Sequence, residues 1–259
     1  MNPTIKLLLE RRTHRSFTSE NIKDEDLMLL KRATLRAPTA GNMMLYSVIE
    51  VADKSKKELL AKLCDNQIMI AKAPLVWLFV SDVRKWVNYY HESGAVKRGN
   101  DNNTEWINPS YGDFLLANSD ALIAAQSAVI AAEALGIGSC YIGDVLENYE
   151  KIKELFNLPK YVSVATLVIF GYPKNKNKLQ NEIIRAPMES IFMDECYKEP
   201  HLKELEFAFG KQQERLKEQN RLPYNNSSTI ADYYYLRKYT SSFMKEMNRS
   251  CGLLIKEWE

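Results

Sequence analysis

Residues 121–138, ALIAAQSAVIAAEALGIG, are the most apolar stretch of the chain and limit the folds open to it more than any other segment. A membrane span needs about 20 predominantly apolar residues. Here Gln126, Ser127 and Glu133 interrupt the run. The stretch therefore reads as a helix buried on nearly all sides, over roughly 119–135. It starts near Ser119 or Asp120 and stops at Gly136, which can take the left-handed conformation that ends helices. Three β-branched runs read as strands: YSVIEVA at 46–52, PLVWLFVS at 74–81 and VSVATLVIFG at 162–171. PLVWLFVS has few polar positions, as expected of a strand covered on both faces. Further helices follow from spacing at 24–36, from Asp53 or Ser55 to about Leu63, and at 148–156.

With 259 residues, 46% of them apolar, the chain can bury a sizeable core. A net charge of +2, from 35 basic and 33 acidic residues, gives no global field to recruit nucleic acid or a membrane. The tyrosine cluster DYYYLRKY at 232–239 matches no RNA-binding pattern and reads as helix packing. Cys64, Cys140, Cys196 and Cys251 lie far apart, and with only three histidines no metal site is expected. This usage fits a reducing, cytoplasmic setting. The opening MNPTIKLLLERR has too short an apolar run for a signal peptide, with its arginines on the wrong side. Residues 84–118 are aromatic, Asn-rich and weakly periodic, which suggests a lid-like insertion. From about 199 the pattern turns helical and charged. The expected organisation is a core of residues 1–195 and an extension of residues 196–259, packed on that core or on a partner subunit.

Each candidate motif is weak alone. GIGSCYIG at 136–143 fails the dinucleotide-loop spacing, because Tyr141 stands where the third glycine is needed and a helix precedes it. No G-x-S-x-G is present. Gly138 is read as a residue that lets the chain turn, and Gly143 as one that lets a flat ligand approach main-chain N–H groups. In RRTHRSF at 11–17, cations at a helix C-terminus are explained by the helix dipole. Arg11, Arg12 and Arg15 are equally the guanidinium forks that a phosphate would take. RAPTAGN at 36–42 reads as a helix stop and turn, yet it offers the Thr39 hydroxyl and the Asn42 amide. Gln67 in DNQIMIAKAP and Arg185 in IIRAP look like surface residues when taken singly.

Taken in order, RRTHRSF, APTAGN, NQIMIAKAPLVWLFV, the long helix with GIGSCYIGDV, VATLVIFGYP and RAPMESI resemble the nitroreductase family of FMN-dependent NAD(P)H oxidoreductases. The resemblance covers about residues 5–195. It implies an α+β fold with a mixed, mainly antiparallel sheet flanked by helices, homodimeric, with flavin at the subunit interface and a helical C-terminal extension. The apolar helix would suit close packing across that interface. The resemblance also implies FMN as cofactor and NADH or NADPH as reductant. A small electron-poor acceptor, such as a nitroaromatic or a quinone, would follow in a ping-pong cycle through flavin N5. No catalytic residue of the protein is required, because the flavin carries the chemistry.

Carried across by position, Arg11 would meet the FMN phosphate, with Arg12 and Thr13 in the same block. Arg15 would reach the pyrimidine edge or the phosphate side, and His14 would face away. Pro38, Thr39, Ala40 and Asn42 would form a turn often supplied by the other subunit. Gln67 would hydrogen-bond the pyrimidine, and the backbone of Ile142, Gly143 and Asp144 would lie beside N5. Arg185 would be a late phosphate ligand. Arg15 or Gln67 would stabilise charge developing near N1 on reduction. Thr13, Ala40 and Gly41 depart from the serines common at those points. Trp86, Tyr89, Tyr90, Trp106 and Tyr111 would either stack on an acceptor or pack within their insertion. The alternatives are a flavin sensor or store without turnover, and a relative that performs reductive dehalogenation or flavin breakdown.

Overall fold

The structure, a computed structural model, describes residues 1–175 and 183–259. The chain divides into two compact units, Met1–Lys176 with Glu246–Glu259, and Asn177–Lys245. Composition placed the break at 195 with everything beyond it as an extension. The observed division falls earlier, and the chain end rejoins the first unit because Ser250 and Trp258 are buried in its core.

In the first unit the elements run α1 (Pro3–Glu10), α2 (Asp24–Leu35), β1 (Tyr46–Glu50), α3 (Lys54–Leu63), α4 (Ile68–Lys72), β2 (Leu75–Asp82), α5 (Arg84–Glu92), α6 (Ala95–Asp101), α7 (Tyr111–Ala134), β3 (Gly138–Ile142), α8 (Tyr149–Leu155) and β4 (Val162–Gly171). The four strands form one sheet in the order β1-β2-β4-β3, with every pairing antiparallel. Among the described residues, the mixed character expected of the sheet is confined to a parallel bridge, Thr13 to Ser139. Strands β2 and β4 are buried along their whole length. One face places Val76, Leu78, Leu167 and Ile169 against Leu60, Ile70 and Ile152 of α3, α4 and α8. The other places Trp77, Phe79, Val168 and Phe170 against α7 and Leu30 of α2. In the second unit α9 spans Leu202–Glu218 and α10 Ile230–Tyr234, followed by a π-turn, Tyr235–Tyr239. Helix α11 (Ser242–Lys256) begins in the second unit and, from Glu246, belongs to the first.

Helix α7 departs from expectation at its start. It begins at Tyr111, about two turns before Ser119, behind a capping box in which Ser110 and Asp113 each bond the other's backbone N–H. Its length and composition would allow it to cross a membrane. Its alanines, however, serve the fold: Ala121, Ala124, Ala125, Ala128 and Ala132 are fully buried against the sheet's large aromatics. The alanine face is therefore not available to a partner subunit. The apolar side chains α7 leaves exposed include Leu115, Leu116, Leu122 and Ile123.

Residues 84–118, expected as a lid-like insertion, are largely helical, comprising α5, α6 and the first turns of α7. Trp86 and Tyr90 lie 5.6 Å apart, Tyr90 and Trp106 6.3 Å, and the Trp86 indole donates to Met43 O at 2.8 Å. Tyr111 donates to Glu259 at 2.6 Å. These rings are used mainly in packing within the segment, and Tyr89 stays exposed.

Residues 13–18 lie along the ends of β3 and β4. His14 N donates to Ser139 O at 2.9 Å, and Thr18 N to Tyr172 O at 2.8 Å. The approach is close enough to dictate two glycines. A Cβ on Gly138 would stand 2.8 Å from His14 Cγ and from Pro173 Cγ, and one on Gly171 would stand 2.8 Å from Phe17 Cγ and Pro74 Cδ. Gly138 is thus a close-contact residue inside β3 rather than a turn, whereas Gly136, at φ 72°, does end α7 in the left-handed region. Gly171→Ala is expected to cost about 1–3 kcal/mol by overpacking, seen as a lower urea midpoint at unchanged m value. An unchanged midpoint would show that Phe17 does not need that space.

Candidate cofactor site

Helix α1 stops at Arg11, whose backbone N–H reaches Leu7 O at 2.8 Å. The extended residues after it alternate: Thr13 and Arg15 are exposed, His14 turns onto Gly138, and Phe17 is buried. Burial lowers the His14 pKa, and the charges of Arg11 and Arg12 lower it further, so the ring stays neutral at pH 7. The Arg15 charge acts on the Cys140 thiol of β3, which itself donates to Tyr141 O at 3.3 Å. Burial raises that thiol's pKa, while Arg15 and Arg11 oppose the rise and Asp144 adds to it. Tyr141 is pushed up to about 12 by burial, with Arg11 opposing. The Glu133 carboxyl, at the end of α7, is likewise raised by burial and opposed by Arg11. Arg11, Arg15, Cys140, Tyr141 and Asp144 thus share one electrostatic neighbourhood at the β3 edge.

Gln67 enters the same neighbourhood from the turn after α3. Asp65 and Asn66 take left-handed φ values of 53° and 55°, a conformation their short polar side chains tolerate. The Gln67 Nε2 donates to the Asp144 carboxylate. Asn148 Nδ2 donates to Leu63 O at 3.0 Å, which ties the same turn down a second time. Ile142 is buried at the end of β3, and a 3₁₀ turn, Gly143–Leu146, follows. A Cβ on Gly143 would meet nothing within 4 Å, so the chain leaves open space above this backbone. Behind it Ser250 of α11 donates to Leu146 O at 2.7 Å and accepts from Tyr149 N at 2.8 Å. Glu147 is held at about 7, by burial first and then by Asp144, Asp65 and Glu246. Cys64 is pushed to about 12, chiefly by burial.

Pro38, Thr39, Ala40 and Asn42 form a separate group. Their turn is organised by Asp120, a carboxylate 3% exposed on the buried face of α7. It accepts from the Thr39 hydroxyl, from Ala40 N at 3.0 Å and from Leu45 N at 3.1 Å. The turn needs this support, since Gly41, Asn42 and Met44 have φ of 56°, 58° and 51°. It leads straight into β1, at the opposite edge of the sheet from β3. Arg185 lies in the second unit, exposed, with Nη1 3.3 Å from Ile184 O.

Three supporting residues escaped the sequence reading: Asp120, Asn148 and Ser250. Only Asp120 carried a usable signal, because a carboxylate on the buried side of an alanine-rich helix must be paired. It reads instead as a helix cap.

The sequence profile of the nitroreductase family matches residues 8–172. The chain belongs to the nitroreductase family. This family member is 31% identical over 202 residues to the FMN reductase (NADPH) of Bacillus subtilis, covering 76% of this chain and 75% of that protein. It is 32% identical over 197 residues to the FMN reductase (NAD(P)H) of the same species, with the same coverage. Among solved structures, a Bacteroides fragilis protein described as a candidate oxidoreductase superposes with a TM-score of 0.84 at 27% identity, over 98% of each chain. The resemblance read from the ordered motifs is thereby borne out. So are the α+β nitroreductase fold and the reading of an FMN-dependent NAD(P)H oxidoreductase.

Proposed function

We propose that this nitroreductase acts as a homodimer, with FMN held where the Arg11–Gln67–Gly143 group of one subunit meets the Thr39–Asn42 turn of the other. The observation that carries the reading is the gathering of guanidinium and amide donors around the open backbone at Gly143. This donor set fits the group: Arg11 suits a phosphate dianion, and Arg15 and Gln67 suit the carbonyl-bearing edge of a heteroaromatic ring. The separation of the turn to the other sheet edge supports a site completed by a second copy. The exposed Leu115, Leu116, Leu122 and Ile123 of α7 supply an apolar surface for that contact. Arg12 and Thr13 belong to the same block, and Arg185 is carried as a phosphate ligand on the resemblance alone.

When bound, FMN supplies two-electron transfer from NADH or NADPH to an electron-poor acceptor. The chain's own residues anchor it, orient its ring and set the field around it. Arg15 favours negative charge in this neighbourhood, as its effect on the Cys140 thiol illustrates. The reading includes a ping-pong cycle, a nitroaromatic, quinone or free flavin as acceptor, and a cytoplasmic setting. Purified protein is expected to be yellow and to bleach anaerobically on addition of NADPH or NADH. Parallel double-reciprocal lines with a quinone acceptor would support the ping-pong order. Bound flavin that neither nucleotide reduces would leave the sensor or storage role as the surviving alternative.

A further inference from the structure

The side chain of Asp144 has a task beyond the backbone contact expected of it. We propose that Asp144 is a positioning residue: its carboxylate fixes the orientation of the Gln67 amide and places a negative charge beside the cofactor ring. The proposal rests on the reading of this group as the flavin site.

A glutamine amide carries two donors on nitrogen and an acceptor on oxygen, and an unheld one can rotate so that the two ends exchange. An ionised carboxylate only accepts. The contact between Asp144 and Gln67 Nε2 therefore selects one of the two amide orientations. What remains for a ligand is the Oε1 acceptor next to one N–H, which matches a pyrimidine edge where carbonyl and N–H alternate.

Both partners stand on pinned backbone, so the selection is stiff. Asp144 lies in the 3₁₀ turn Gly143–Leu146, whose end is held by Ser250 through Leu146 O. Gln67 caps α4, with its N–H on Cys64 O at 3.3 Å. Asn148, from the segment that follows Asp144, holds Leu63 at the other end of that turn. Two side chains four residues apart thus tie the 143–148 segment to the 63–67 turn.

The charge of Asp144 acts on the same neighbourhood. At Cys140 it opposes the thiolate, where Arg15 and Arg11 favour it. An anionic reduced ring in that field would be disfavoured by Asp144 and favoured by the arginines. Removing the charge while keeping the acceptor should therefore make the cofactor easier to reduce.

The test compares wild type, Asp144→Ala, Asp144→Asn, Gln67→Ala and the Asp144→Ala/Gln67→Ala double variant as full chains. FMN affinity is read by titrating apoprotein, and midpoint potential by spectroelectrochemistry. Each alanine variant is expected to lose about tenfold in affinity, the scale of one net hydrogen bond, and the double variant no more than either single one. Asp144→Asn, which can still accept from Gln67, should keep affinity within about twofold and shift the potential upward. Additive losses, Asp144→Ala affinity equal to wild type, or an unshifted Asp144→Asn potential would overturn the assignment. Wild type that fails to take up FMN at all would instead overturn the cofactor-site reading beneath it.

Discussion

Arg11→Ala combined with Arg15→Ala is expected to weaken FMN retention by about two to four orders of magnitude while the unfolding midpoint barely moves. A hydrogen bond to a charged group contributes about 1.5–3 kcal/mol, and each 1.4 kcal/mol is about tenfold in affinity. The structural part of Arg11 is its main chain, whose N–H closes α1 on Leu7 O and survives the substitution. Arg15 is exposed, and it acts on the Cys140 thiol through its charge, so its side chain holds no part of the core. Glu133 loses the cation that opposes its raised pKa, and its carboxyl then takes up a proton more readily instead of remaining a buried charge. The flavin-to-protein absorbance ratio after gel filtration, together with a urea melt, separates the two effects. Full flavin occupancy in the double variant would exclude both arginines as anchors. Lysine at both positions should recover part of the affinity, since charge returns without the planar fork.

Asp120→Ala is expected to cost about 2–5 kcal/mol of stability and, in the proposed dimer, to empty the flavin site that its turn completes in the other subunit. The substitution strands the main-chain N–H groups of Ala40 and Leu45, each costing about 1–3 kcal/mol when left unpaired. It also frees the Thr39 hydroxyl, which accepts from Met44 N at 2.8 Å. Asn42 and Met44 then have no reason to keep left-handed φ. A mixed dimer distinguishes which site the turn serves. Pairing an Arg11→Ala/Arg15→Ala subunit with an Asp120→Ala subunit puts both defects into one site if the turn acts across the interface. The other site is then intact, and about half of the flavin should return. If the turn served its own subunit, both sites would be damaged and no flavin would return.

How much of this was readable from the chain depended on where each residue's partner lay. Strands β1, β2 and β4 were legible because each is a β-branched run, fully buried in β2 and β4 and partly buried in β1. Strand β3 was not, because GSCYI opens with Gly138, a poor strand former whose missing Cβ leaves room for His14. Of the two starts offered for α3, the cap is Asp53, which accepts from Lys56 N, and not Ser55. The start of α7 was hidden by Asp120, whose partners are some 80 positions earlier and which resembles a cap in sequence. The arginine block, Gln67 and Gly143 were visible through their order along the chain. The Asp144 side chain and the Asn148 and Ser250 clamps were not, since each acts on a segment far away in sequence.

The return of the chain end to the first unit changes which deletions the protein can survive. Trp258 is fully buried and donates to Ser163 at 2.8 Å, so the segment 177–245 is an interior insert tethered at both ends. Closing a loop costs only about 0.6 kcal/mol more for each doubling of its length. A change in the length of that insert therefore adds little closure cost to the scaffold. Trimming the last few residues, usually the safest edit a chain allows, would here remove part of the core.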